Sequence, residues 1–135
     1  MHFVDTNIFI RHLTRDDPIK AQACYQLFKQ AATNAITLTT TEAVIAEVVF
    51  VLSSKRLYNL SRQRIRELLY PLLSLQGFHL PQRSMLLRAL DLYELHNLDF
   101  EDTLVIAHME QQNLKDLYSY DQGFDKIPGI TRHEP

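Results

Sequence analysis

The spacing of apolar residues predicts a chain in which short strands alternate with helices. Apolar side chains recur at helical spacing over about 17–33, 39–55, 61–72, 82–96 and 99–112, and a first helix begins at Asp5. Short apolar or β-branched runs lie at 1–4, 35–39, 77–80, 117–119 and 130–131. Such alternation is typical of a parallel sheet covered by helices on both faces. The pattern therefore predicts an α/β fold with four to five short parallel strands, in one domain spanning 1–135.

Capping residues mark several of these helix starts. Asp16-Asp17-Pro18 combines a capping carboxylate with proline in the first turn, and Ser61 opens the helix that Pro71 is expected to disrupt near its end. Thr39 and Glu42 have the spacing of a capping box. We therefore interpret Glu42 as a capping residue and leave it out of any candidate site.

Composition and charge exclude several classes of protein. With 46% hydrophobic and 22% charged residues the chain can build a core, and its net charge of −2 gives no overall positive field toward nucleic acid. The single Cys24 excludes an internal disulfide and a cysteine-rich zinc site. No leader pattern precedes Asp5, and the longest apolar stretch, 43–52, is shorter than the about 20 residues of a membrane helix. A soluble, cytoplasmic protein is expected.

Two aspartates directly follow predicted strands. Asp5 follows the first strand and Asp121 the fourth, and ligand sites of open α/β sheets lie at the carboxyl ends of strands. A simpler interpretation makes Asp5 only a helix cap and Asp121 only a turn residue, since Gly123 comes two positions later.

Glu47 is the most informative acid, because the helix around it is apolar on every side. Its neighbours three and four positions away are Ala43, Val44, Phe50 and Val51. We expect that such a carboxylate cannot simply face water and needs a basic partner, a raised pKa or a metal ion. No basic residue lies nearby on the same helix, so the pattern favours a functional role over a buried structural ion pair.

Three further carboxylates, Asp99, Glu101 and Asp102, open the last predicted helix. The helix dipole favours acids there, so capping alone is an alternative. Three acids within four residues nevertheless exceed what a cap needs, and they repel one another.

If these acids converge, they form an all-oxygen site. Carboxylates without cysteine or paired histidine select hard cations such as Mg²⁺ or Mn²⁺ over zinc. Such ions activate water and stabilise developing charge in phosphoryl chemistry.

The residues quoted so far resemble those of PIN domains, and most of all the VapC toxins of prokaryotic toxin–antitoxin pairs. The likeness rests on Val4-Asp5-Thr6-Asn7, on Glu47 in its apolar helix, on 99–102 and on Ser119-Tyr120-Asp121-Gln122-Gly123-Phe124. It implies a Mg²⁺- or Mn²⁺-dependent endoribonuclease whose four acids are Asp5, Glu47, Asp102 and Asp121. It also implies accessory roles for Asn7, Asp99 and Ser119, a homodimer, and inhibition by a small antitoxin.

RNA must then reach the site despite the negative net charge. The densest basic regions are Lys55-Arg56 and the run Arg62, Arg64, Arg66, although the latter also fits a solvated helix face. Arg11 is the preferred phosphate contact because its helix begins at Asp5, whereas His108 is interpreted as a packing residue.

Two other functions stay open at this point. A Mg²⁺ phosphohydrolase with Asp5 as nucleophile is one, although such enzymes usually carry a second aspartate where this chain has Asn7. A non-catalytic interaction domain that holds an ion or a basic peptide is the other.

Overall fold

The computed structural model describes residues 1–135 in full. Its helices are α1 (Thr6–Thr14), α2 (Pro18–Ala32), α3 (Glu42–Ser53), α4 (Arg62–Leu73), α5 (Arg83–Leu95) and α6 (Phe100–Gln111). Its strands are β1 (His2–Phe3), β2 (Leu38–Thr39), β3 (Asp116–Tyr118) and β4 (Thr131–His133), with a 3₁₀ turn over Gln122–Lys126. The α/β class and all six helices were predicted correctly, because the helices carry long periodic patterns.

The strands form two separate parallel pairs, so the prediction of one sheet of four to five strands is wrong. β1 pairs with β2, and β3 pairs with β4. The predicted strand at 77–80 is reduced to a single parallel bridge between Leu38 and Phe78. Strands of two or three residues make very few ladder hydrogen bonds, and the helices rather than a continuous sheet bury most of the core.

Capping explains where several helices start. Asp17 accepts a hydrogen bond of 3.1 Å from the Lys20 amide with Pro18 in the first turn, and Ser61 accepts one of 3.1 Å from the Arg64 amide. Both caps confirm the sequence prediction. α4 contains the exposed Pro71 in its last turn and ends two residues later, at Leu73, because proline removes an intrahelical hydrogen bond and crowds the preceding turn.

The capping box predicted for α3 is wrong. The cap is Thr41, whose hydroxyl accepts from the Val44 amide at 3.2 Å, so Glu42 is the first residue of the helix. Glu42 instead contacts α6, with Oε1 3.0 Å from Nε2 of His108. This contact joins the first turn of α3 to α6. Glu47 follows later in the same helix.

Two apolar clusters hold the elements that carry the acids. The larger has 25 buried residues and includes Phe9, Phe28 and Phe78, whose rings pack against one another. The smaller lies beneath the C-terminal segment and consists of Leu92, Leu98, Ile106, Phe124 and Ile127. The larger cluster fixes α1 and α3. The smaller cluster fixes α6 against the turn that begins at Asp121.

Arg62 ties α4 to the segment that precedes α6. Its guanidinium donates to the carbonyl oxygens of Tyr93, His96 and Leu98 and lies 4.2 Å from the centre of the Tyr93 ring. This arginine therefore holds the backbone just before Asp99.

None of the helices, of which the longest is the 15-residue α2, has the length and apolar character of a membrane span.

Candidate active site

Asp5 stands at the junction of β1 and α1, as predicted. The Val4 amide donates to the Thr39 carbonyl at 2.8 Å, and the buried Thr40 hydroxyl donates to the Val4 carbonyl at 2.8 Å. Asp5 is the N-cap residue of α1 and accepts from the Thr6 amide. Its side chain is nevertheless exposed to solvent, so the cap leaves carboxylate oxygen available to a ligand.

Glu47 is tied to this junction, but it is not buried as the sequence suggested. The buried Thr6 hydroxyl donates to Oε2 of Glu47 at 2.9 Å. Ala43, Glu47 and Phe50 form an exposed stripe along α3, while Ile45, Val48 and Leu52 face the core. An almost wholly apolar helix thus keeps one water-facing stripe, and Glu47 makes no ion pair with any basic side chain.

The start of α6 carries a second acidic group. Asp99 is the N-cap residue, yet its side chain makes no capping hydrogen bond, so capping does not explain its carboxylate. Asp102 lies half-buried in the first turn. Burial, together with the charges of Asp121, Asp99 and Glu101, raises the pKa of the Asp102 carboxyl.

Asp121 has the turn role considered from the sequence and also lies close to Asp102. Its Oδ1 accepts from the Gly123 amide at 2.8 Å and opens the 3₁₀ turn, which is the turn role. The Ser119 hydroxyl accepts from the Asp121 amide at 3.0 Å and so fixes the backbone on the other side. Because Asp121 is also close enough to act on Asp102, the end of β3 and the start of α6 share one acidic environment.

The acids therefore lie in two groups. Asp5 and Glu47 are joined through Thr6, and Asp99, Asp102 and Asp121 are joined by charge. α3 packs on α6, which links the elements that carry the two groups. No three acidic, histidine or cysteine side chains lie close enough together to hold one metal ion. The oxygen donors fit a hard divalent cation in chemistry, and the like charges around Asp102 would be relieved by one.

The remaining candidate side chains differ in whether they already have a partner within the protein. Asn7 is exposed in the first turn of α1. Arg11 is paired with Asp16, each of whose oxygens lies 3.0 Å from Nη1, and Tyr58 donates to the same carboxylate. His108 is occupied by Glu42 rather than by the acidic groups.

The basic run of α4 serves intramolecular contacts. Arg62 binds backbone carbonyls, Arg64 pairs with Glu67, and Arg66 pairs with Asp91 and Glu94. Lys55 and Arg56, by contrast, are exposed and make no ion pair. The run therefore fits the structural alternative better than an RNA-binding face.

Comparison with known families is consistent with this geometry. The model of the PIN domain matches residues 2–130. The chain belongs to the PIN domain family. The PIN domain is a nuclease fold, and PIN nucleases generally use divalent metal ions and act on nucleic acid. No curated protein matches the chain significantly.

Two features of this PIN domain were not singled out from the sequence. Thr6, named there only as part of the motif Val4-Asp5-Thr6-Asn7, is the residue that ties Glu47 to the Asp5 junction. Phe50 is 69% exposed beside Glu47 although it belongs to the most apolar helix. The signal for Phe50 was its position three residues after Glu47, which places both side chains on one helix face.

Proposed function

We propose that this PIN domain is a metal-dependent endoribonuclease that hydrolyses RNA phosphodiester bonds with Mg²⁺ or Mn²⁺. The main support is the hydrogen bond from Thr6 to Glu47, which brings a distant acid to the Asp5 junction with no basic partner to neutralise it. The carboxylate of Asp99, which makes no capping hydrogen bond, and the raised pKa of Asp102 add support, since a cation would stabilise both.

The four acids take different roles in this proposal. Asp5 and Glu47 from one group and Asp102 from the other would turn toward each other to hold the cation, because no three of the acids lie within reach of one ion in this structure. The cation when bound supplies an activated water and stabilises charge on the phosphate. Asp121 keeps one oxygen on the Gly123 amide, which leaves its other oxygen to ligate or to orient the attacking water. Ser119 is a positioning residue, because its hydroxyl holds the Asp121 amide. Asn7 and Asp99 are accessory oxygen donors.

Phosphate contacts come from cations near the acids. Lys55 and Arg56 follow the C-terminal end of α3, which at Ser53 is about 9 Å along the helix axis from Glu47, and have no intramolecular ion pair. Arg11 contacts a phosphate in this proposal by exchanging its partner Asp16.

The resemblance to toxins extends the proposal to partners. The protein would act in the cytoplasm as a homodimeric toxin that a small antitoxin inhibits. Exposed aromatic side chains at Phe3, Tyr118 and Tyr120, which are 62%, 73% and 70% exposed, provide apolar surface for such contacts. The free, buried Cys24 suits a reducing compartment.

The decisive test is cleavage of structured RNA with Mg²⁺, with Mn²⁺ and with a chelator. Wild type is expected to cut only with metal, and Asp5→Asn, which retains an oxygen to accept from Thr6, is expected to lose cutting. Asp116→Asn is the matched control, because Asp116 is exposed on β3 and pairs only with His133. Turnover of small phosphate esters without RNA cutting would support a phosphohydrolase, and metal binding with neither activity would support an interaction domain.

A further inference from the structure

A small cavity lies between α3 and the start of α6, beside the proposed site. Its volume is about 220 Å³. Its walls come mainly from Ala46, Val49 and Phe50 on α3 and from Asp99, Phe100 and Glu101 at the start of α6. Asp99 and Glu101 are also near enough to Asp102 to raise its pKa, so the cavity and the acids are neighbours.

The walls of the cavity have an apolar part, formed by aromatic and aliphatic side chains, and a polar part, formed by carboxylates that accept hydrogen bonds. Phe50 offers an exposed ring, while Phe100 and Val49, which line the same cavity, are buried. Glu101 is exposed and makes no hydrogen bond or ion pair, and Asp99 makes no capping bond. The cavity therefore combines an aromatic face with carboxylate oxygens that make no hydrogen bond within the protein.

These walls restrict what can enter. The carboxylates repel a phosphate, so the occupant must be uncharged or positive and must carry hydrogen-bond donors. The volume is below the about 300–1,000 Å³ of sites for drug-sized ligands, which suits a single ring system. Nucleobases unstacked from RNA bind in this way, by stacking on aromatic side chains and hydrogen bonding along an edge.

We propose that this cavity binds a nucleobase of the RNA next to the scissile phosphate and that it prefers guanine. Guanine carries two adjacent donors, N1–H and the N2 amino group, which one carboxylate accepts together. Adenine and cytosine carry an amino group beside an acceptor, and uracil presents one N–H between two carbonyl oxygens that a carboxylate repels. This inference rests on the proposed ribonuclease activity and adds a specificity determinant to it.

Two variants separate stacking from edge recognition. Phe50→Ala is expected to lower kcat/KM roughly 5- to 150-fold for every base at that position, which corresponds to a stacking energy of about 1–3 kcal/mol per base. Glu101→Gln is expected to lower kcat/KM at sites with guanine and so to lose the preference for guanine over uracil, because an amide both donates and accepts. Ile19→Ala and Glu67→Gln are matched controls, since Ile19 is exposed on α2 and Glu67 on α4.

The experiment has a cleavage arm and a binding arm. Cut sites in a randomised single-stranded RNA are sequenced for wild type and the variants, with thermal melting to confirm that each is folded. Anisotropy of labelled RNA pentamers, with and without one guanine among uracils, measures binding in Ca²⁺. The inference predicts guanine enriched at one fixed position beside the cut, tighter binding of the guanine pentamer, and loss of both preferences in Glu101→Gln.

Contrary results distinguish this inference from the proposed function. Wild type that cuts RNA without any base preference overturns the base pocket and leaves the nuclease intact. Guanine-dependent binding without cutting supports the pocket and overturns the nuclease. If Phe50→Ala cuts normally but changes the sedimentation of the protein, the aromatic face belongs to a protein contact, and the base pocket is overturned.

Discussion

The hydroxyl of Thr6 donates a hydrogen bond of 2.9 Å to Oε2 of Glu47, a residue 41 positions away. Thr6 immediately follows Asp5 and is buried, so this bond couples the first turn of α1 to the middle of α3. Two acids that are distant in sequence thereby stand at one junction. A metal site there depends on how firmly this contact holds Glu47.

Removing the Thr6 hydroxyl should therefore weaken the site without unfolding the protein. Thr6→Val keeps the shape of the side chain but frees Glu47 to move, and loss of such a supporting contact typically costs about 10- to 100-fold in metal affinity or activity. Metal titration followed by calorimetry and RNA cleavage rates would measure this. Thr6→Ser, which keeps the hydroxyl, should stay within a few-fold of wild type; equal losses in both variants would contradict the positioning role.

Neutralising Asp102 should stabilise the metal-free protein. The folded-state pKa of Asp102 is raised above 3.8, so its ionisation costs stability, and this cost develops as pH rises through the raised value. In chelator at pH 7.5, Asp102→Asn is expected to melt a few degrees higher than wild type. Addition of Mn²⁺ should raise the melting temperature of wild type only. An Asp102→Asn melting temperature at or below that of wild type in chelator would contradict the repulsion argument.

His12 should make the protein less stable to unfolding as the pH falls through the pKa of its ring. Its ring lies between Tyr25 and Phe28 with a buried Nδ1 that has no partner, and burial followed by the charge of Arg15 lowers its pKa below 6.5. A lowered pKa means that this stability is present above pH 6.5 and is lost as pH falls through the folded value. Comparing melting at pH 7.5 and pH 5, His12→Phe should lose less stability than wild type does.

Arg62 should matter for folding and Arg64 should not. Arg62→Met leaves three carbonyl oxygens without their donor, and we expect a loss of about 2–3 kcal/mol in the free energy of unfolding. Arg64→Met removes only an exposed pair with Glu67, for which about 0–1 kcal/mol is expected. Urea unfolding measures both. A larger effect of Arg64→Met on RNA binding than on stability would restore the α4 run as an RNA-binding face.

Charge reversal after α3 tests how RNA approaches. Lys55→Glu with Arg56→Glu should raise KM and flatten the dependence of binding on salt, because fewer counterions are released. kcat should change little, since neither residue reaches the acids in the proposed mechanism. Lys20→Glu with Lys29→Glu, both exposed on α2, gives the same change in net charge and serves as the comparison. Equal effects of the two pairs would point to net charge alone.

The sequence by itself determined the helices, two of the caps and the identity of the candidate acids. Helical periodicity extends over a dozen residues and is local, so α2 and α4 to α6 could be predicted within two residues at each end, while α3 was predicted to start too early. The caps at Asp17 and Ser61 are equally local. The resemblance to PIN domains came from short motifs around the acids, whose identity and order can be read directly from the sequence.

Only the tertiary structure decided which side of α3 faces water, which acids are neighbours and how the strands pair. Glu47 was expected to be buried because its helix is apolar, but its exposure depends on which neighbours cover each side of that helix. Glu42 was interpreted as a cap because the spacing fits, but its carboxylate contacts His108, 66 positions away, instead of a helix-start amide. Strands of two or three residues carry no periodicity to detect, so their division into two pairs follows only from long-range packing.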